Sequence, residues 1–384
     1  MSIKDRFAIA GLGITQFGKL PGMTAHAIAA EAVRRAIADA GLTRQQIDGY
    51  IYTGEGMGPE GQVPKFLGLP VKFIWAMNTG GVTAIASVAA ACGALEAGLA
   101  DYVVCVEAAN PATGRVLVGA SPSRVAQELN HVYGQFSPGA DHAYAARRHM
   151  HEYGTTSRQL GAIAVAERWY ANRRPEAVMH GRPLTIEDHQ NSRFVAEPLH
   201  LLDYCLVTDG GVAVVVTTAE RARALKKPPV SIMGIGMGHQ LRQHYRNLSC
   251  VTEDVGPAKE AAFRSAGIEL QDVDVAELYD CFTVTVLLSV EGYGWCKPGE
   301  GGPFFEAGST LPGGAIPMNT GGGELSGWYR EGYTPLAEAI MQMRGACGPT
   351  QVQDAEVALV SGHGGTGTGR PMQYAHGTLV LGRS

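Results

Sequence analysis

Apolar and polar positions along this chain follow two periods that take turns. Phe7 to Gly11 is a short apolar run, followed by a loop from Ile14 to Met23, and predicts a buried strand. From Ala25 to Ala40 the period changes, with Ala29, Ala32, Val33, Ala36 and Ile37 on one stripe, so a helix is predicted that stops at Gly41. Ile47 to Tyr52 leads into the next strand. Thr83 to Ala97 is small and apolar on almost every side, the pattern of a helix buried in the middle of a protein. Gly98 ends it, and Tyr102 to Val106 reads as a core strand of parallel type.

The second half opens the same way. Val230 to Met233, with Gly234 and Gly236, is followed by a helical pattern from about Gly256 to Ala266, then Gly267, then Val273 to Leu278. Aligning Ala40-Gly41-Leu42 with Ala266-Gly267-Ile268 also brings Asp48 onto Asp274, so a whole strand–helix–strand unit is repeated. Met77-Asn78-Thr79-Gly80-Gly81 recurs letter for letter as Met318-Asn319-Thr320-Gly321-Gly322. Each copy follows an apolar run and precedes a helix-like segment. Such a turn aims backbone N–H groups and a positive helix end at one point, and its glycines admit a ligand against the backbone. The expectation is an α/β fold of two duplicated halves, residues 1–225 and 226–384, with a site between them. Residues of about 111–203 break the repeat and are richer in His, Arg and Tyr, with helical patterns in Ala140–Tyr153 and Leu160–Ala171; they predict an inserted loop subdomain over the active face. Thr208-Asp209-Gly210-Gly211 turns into the strand Val212 to Val216. The chain closes with Val357 to Val360, a glycine loop at 362–369 and a strand at Gly377 to Leu381.

Composition narrows the class. The 384 residues suffice for two domains or one large pseudo-symmetric unit, and 51 glycines imply many tight turns. A net charge of −5 gives no basic footprint, so no nucleic-acid partner is expected. No uncharged apolar run approaches the ~20 residues of a membrane span. The opening Met1 to Arg6 lacks the apolar core of a signal peptide, so a cytoplasmic location is expected. Seven cysteines, scattered singly without a CxxC, predict reduced thiols and no zinc site in this chain.

Several segments, in order, carry a resemblance. Arg148-His149-Met150-His151-Glu152-Tyr153-Gly154-Thr155-Thr156, Thr208 to Gly211, Glu277-Leu278-Tyr279-Asp280-Cys281-Phe282, Asn319 to Gly323 and Gln342-Met343-Arg344-Gly345 are together similar to the thiolase superfamily, in its sterol-carrier-protein and lipid-transfer-protein branch. The resemblance covers nearly the whole chain and implies the thiolase fold, five layers in the order αβαβα. It also shows where this chain departs. The family's nucleophilic cysteine, activated at the N-terminus of the buried helix, falls at Gly81, and Cys92 lies three turns further on. The acid/base positions of the two later motifs are Tyr279 and Tyr329, and the second cysteine is missing near Ser361.

Two phenols at two acid/base positions resemble the lipid-transfer-protein aldolases that shorten steroid side chains. That resemblance implies retro-aldol cleavage of a β-hydroxyacyl-CoA to a ketone or aldehyde plus a shorter acyl-CoA, with coenzyme A entering as part of the substrate, no bound cofactor and no cysteine nucleophile. A glycine at 81 is expected to leave room for a bulky substrate. Tyr279 and Tyr329 divide the acid and base roles, in an order the sequence leaves open. Backbone N–H groups at Gly81 and Gly322 are expected to hold the thioester oxyanion, helped by His363; Asp280 and Asn319 support, and Trp328 walls the acyl pocket. Arg147, Arg148 and His149 meet the CoA phosphates or form a solvated helix face. Two other readings stay open: an acyltransferase using Cys281 or Ser361, and a non-catalytic lipid- or CoA-binding protein. The resemblance further implies a homodimer paired through Val103 to Val106. It also implies a separate partner, an OB-fold protein of the DUF35 type with a zinc ribbon, in a heterotetramer.

Overall fold

The computed structural model describes residues 3–53, 62–114, 137–239, 255–364 and 375–384. Strand β1 (Phe7–Ile14) precedes α1 (Ala25–Ala40), which covers the residues of the predicted stripe. Thr24 caps α1 by accepting the Ala27 N–H, and Gly41 closes it in the left-handed region at φ 74°. Then come β2 (Gly49–Thr53), α2 (Gln62–Leu67), β3 (Phe73–Ala76), α3 (Thr83–Glu96) and β4 (Tyr102–Ala109). The insertion supplies α4 (Pro138–Tyr153), α5 (Ser157–Ala171), α6 (Ile186–Asn191) and the hairpin β5 (Phe194–Ala196) and β6 (Leu199–His200). Strand β7 (Gly210–Thr218) and the short α7 (Ala219–Arg223) end the first half. The second half runs β8 (Val230–His239), α8 (Gly256–Ala266), β9 (Val275–Glu277), α9 (Thr283–Tyr293), α10 (Gly301–Glu306), α11 (Tyr333–Met343), β10 (Val357–Gly364) and β11 (Ala375–Arg383).

The main sheet has nine strands in the order β3-β2-β4-β7-β1-β8-β11-β10-β9. In the first half β1 and β4 each pair antiparallel with β7, and β2 pairs parallel with β4. In the second half β8 and β10 pair antiparallel with β11, and β9 pairs parallel with β10. The repeat read in the sequence is therefore a repeat of topology. Even the aligned aspartates do the same work: Asp48 accepts the N–H groups of Asp101 and Tyr102, and Asp274 those of Glu356 and Val357, each tying down the start of the neighbouring parallel strand. Helices α3 and α11 lie against strands of both halves, while α1 covers the outer face of one half and α8 that of the other. The layers run helix, sheet, helix, sheet, helix.

Three expectations change. First, α3 is not enclosed all round: Gly93 is exposed, and Ala86, Ala89 and Ala90 are half-buried. Second, Val103 to Val106 cannot be a pairing edge, because β4 is hydrogen-bonded on both sides, to β2 and β7. A continuous apolar run marks a strand covered on both faces, and the open edge is β3, where Ile74 and Trp75 are 38% and 52% exposed. Third, the two glycine turns differ. Met77–Gly81 leads into α3, but Met318–Gly322 leads only into a single π-type turn, Gly323–Gly327, before extended backbone at Trp328. Among the described residues no helix is long and apolar enough to cross a membrane, and no three His, Cys, Asp or Glu side chains gather as metal ligands. Most of the insertion between 111 and 137, and residues 365–369 of the closing glycine loop, lie outside the described residues.

Candidate active site

Segments from distant parts of the chain build the site. Between β9 and α9, the Leu278 N–H donates to Asn319 Oδ1 at 2.7 Å and the Tyr279 N–H to Ser361 Oγ at 3.0 Å. Asp280 Oδ2 accepts from the N–H groups of Glu324 and Leu325 at 2.6 and 2.9 Å, which joins this loop to the π-type turn. π-type turns often occur at functional sites. Beyond the turn, Thr208 clamps Tyr329: its hydroxyl accepts the Tyr329 N–H and donates to the Tyr329 carbonyl, both at 3.1 Å. The buried Arg330 guanidinium donates to the carbonyls of Thr208 and Tyr329 and stands 3.5 Å from Glu107. These ties bring the two phenols, fifty residues apart in sequence, to an Oη–Oη distance of 3.4 Å.

The surroundings keep both phenols neutral. Tyr279 is 4% exposed and Tyr329 half-buried. Burial pushes each phenol well above its usual range; next in order come Tyr329 beside Tyr279, and Glu331 beside Tyr329. The carboxyls behind them are shifted the same way. Burial lifts Asp280 to about 6 and holds Glu167 and Glu324 well above the usual carboxyl range.

Gly81 meets this pair directly. A Cβ at 81 would stand 2.2 Å from Tyr279 Cζ and 2.3 Å from the His363 carbonyl oxygen. The space that a glycine was expected to leave for substrate is filled by the Tyr279 ring. His363 is buried, with its ring centroid 6.2 Å from that of Tyr279. Gly322 faces away: its N–H is taken by the Asn319 carbonyl at 2.8 Å, and a Cβ there would lie 2.6 Å from Ala171. It is not an oxyanion donor. Asn319 holds a left-handed backbone at φ 49° and bonds both Leu278 and Glu167, so its side chain is a brace. Trp328 points into the core, stacked on Phe17 at 4.3 Å, because extended backbone sends neighbouring side chains to opposite faces. It lines a small internal cavity with Asp280 and Asn319 rather than a pocket beside Tyr329.

Neither candidate nucleophile is armed. Ser361 Oγ is occupied by the Tyr279 N–H. Burial holds the Cys281 thiol well above its usual range, 3.8 Å from His142 Nε2 and 3.6 Å from Thr285 Oγ1. Arg147 and Arg148 are surface residues paired with Glu197 and Glu152. His149 is buried between Thr155 and Glu291, so it cannot meet a phosphate. Sequence reasoning gave no role to Thr208, Arg330, Glu167, Glu324 or His142. The first stood inside a quoted motif and the second beside Tyr329. His142, stacked on Phe282 at 4.0 Å and 5.9 Å from His363, left no local signal.

The strand order and the paired phenols define a thiolase-fold protein with a glycine, Gly81, at its helix turn. The chain belongs to the thiolase superfamily, and its relatives include steroid side-chain-cleaving aldolases. Residues 236–383 match the family model described as thiolase C-terminal domain-like. The chain is 38% identical over 383 residues to 17-hydroxy-3-oxo-4-pregnene-20-carboxyl-CoA lyase of Mycobacterium tuberculosis, covering 96% of this chain and 98% of that one. It is 38% identical over 378 residues to a steroid side-chain-cleaving aldolase of Thermomonospora curvata, covering 95% of each. A solved Ltp2-ChsH2(DUF35) aldolase superposes with a TM-score of 0.90 at 37% identity, covering 99% of this chain and 98% of that one.

Proposed function

We propose that this protein is an acyl-CoA retro-aldolase, cleaving a β-hydroxyacyl-CoA to a carbonyl compound and a shorter acyl-CoA. The observation that carries the reading is the 3.4 Å contact between the phenol oxygens of Tyr279 and Tyr329, at the turn where a thiolase needs its cysteine. Cleavage must remove the β-hydroxyl proton and return one proton to the enolate carbon. Two touching phenols meet both demands without either ionising. One accepts the hydroxyl proton as it passes its own to the other, and the other delivers to carbon. The carbon–carbon electron pair becomes the enolate and then the new C–H bond, so charge and protons balance. A relay of this kind suits a site whose burial opposes a phenolate, and either tyrosine can stand at either end. His363, its ring centroid 6.2 Å from that of Tyr279, is the side chain we infer to support the thioester oxygen.

The names of the relatives support a steroid acyl-CoA as the substrate class, and the solved complex supports a DUF35-type partner; an OB-fold with a zinc ribbon in a separate chain is the form we infer. A second copy of this chain is inferred to pair along β3. The test is mass spectrometry of β-hydroxyacyl-CoAs incubated with this protein, alone and with its DUF35-type partner. A new ketone or aldehyde together with a shorter acyl-CoA is expected; intact thioesters that nevertheless bind tightly would replace this reading with a lipid-binding one.

A further inference from the structure

Behind the phenols, two buried carboxyl groups converge on one turn, and among the described residues neither is paired with a cation. Glu167 lies on α5 of the insertion and is 3% exposed; Asp280 follows Tyr279 and is 0% exposed. A Cβ on Gly323 would stand 2.3 Å from Asp280 Oδ2 and 2.7 Å from Glu167 Oε2, so both carboxyls crowd one backbone point. Asp280 Oδ2 is filled by two N–H groups and Glu167 Oε1 by the Asn319 amide at 2.9 Å. Asp280 Oδ1 and Glu167 Oε2 are buried and receive no N–H or O–H from the described residues. Burial of two carboxyls around one backbone point opposes ionisation of both, and one proton held on Glu167 Oε2 turns that orphaned oxygen into a donor toward Asp280.

We propose that Glu167 is a positioning residue for the reaction: as a neutral acid it donates its proton to Asp280, and the pair locks together the two turns that carry the phenols. Resting on the retro-aldolase reading for its catalytic part, the inference gives the insertion a structural duty beneath the site rather than only over it. Among the described residues, the charged groups around the pair leave Glu167 no counter-ion. Glu324 is a third buried carboxyl. Arg168 is turned to Ser326 and the Arg182 carbonyl, Arg330 to Glu107, and Arg174 to Glu338. On the neighbouring elements, Glu291 is held by His149, Asp203 by His189, and Glu306 by Gln159.

A raised carboxyl gives its stabilisation in full at low pH and loses it as pH rises through its folded-state value. The experiment compares wild type, Glu167→Gln and Glu167→Ala as full chains with the partner present. The amide of glutamine mimics the neutral acid, so Glu167→Gln should keep wild-type kcat and show a smaller fall in Tm between pH 6 and 9. Glu167→Ala should lower kcat roughly tenfold or more with little change in KM, because the reacting groups lose their placement. Infrared difference spectra should show a neutral carboxylic acid in wild type that is missing from Glu167→Gln. A glutamine variant as slow as the alanine variant, or Tm profiles that fall in parallel, would overturn the proposal. If wild type cleaves no thioester, the retro-aldolase reading fails, while the Tm and infrared comparisons still decide the shared proton.

Discussion

At the residue scale, the proposed catalysis rests on two hydroxyl groups and one missing Cβ. Removing either hydroxyl breaks the relay, so Tyr279→Phe and Tyr329→Phe should each lose about 100-fold or more in kcat with the fold intact. Because both phenols sit above their usual range, the wild-type rate should stay flat from pH 7 to 9. A mechanism needing a phenolate would instead rise about tenfold per pH unit, so a pH–rate profile separates the two. Gly81→Cys should restore no acyl-enzyme. Its Cβ would press on the Tyr279 ring and a backbone oxygen, and denaturant unfolding should show a loss of about 3 kcal/mol or more.

At the scale of elements, the phenols are only as well placed as the segments that hold them. Thr208 bonds both backbone groups of Tyr329, so Thr208→Val leaves a buried N–H without a partner; a loss of about 1–3 kcal/mol in stability and a fall in kcat larger than the change in KM are expected. The helices, strands and topological repeat were readable from sequence because period, caps and glycines act over a few residues. Asp48 and Asp274 fell into register for that reason. The hidden parts depend on contacts across the chain: Asn319 with Glu167, 152 positions away, and Asp280 with the π-type turn. The second copy of the glycine turn looked identical to the first, yet it opens into a different structure, a π-type turn whose Glu324 and Leu325 N–H groups are held by Asp280. The phenols themselves were found through their place in a family pattern; their mutual contact belongs to the folded chain.

At the scale of the molecule, the family resemblance implied pairing through Val103 to Val106, which the topology assigns to the interior, whereas β3 is open. Trp75→Arg, or Ile74→Lys, on that edge should shift a dimer toward monomer in light scattering while leaving the monomer's thermal stability nearly unchanged. The contact between position 81 and Tyr279 joins the first half of the chain to the second, and under the proposed mechanism it makes the two chemistries of this fold mutually exclusive. A thiol at 81 and a ring at 279 cannot share the space, and a chain lacking both has neither nucleophile nor relay. Passage between them by single substitutions therefore crosses a crowded or an inert intermediate. A duplicated gene, relieved of selection in one copy, supplies a route across that valley, and an engineer must change both positions at once.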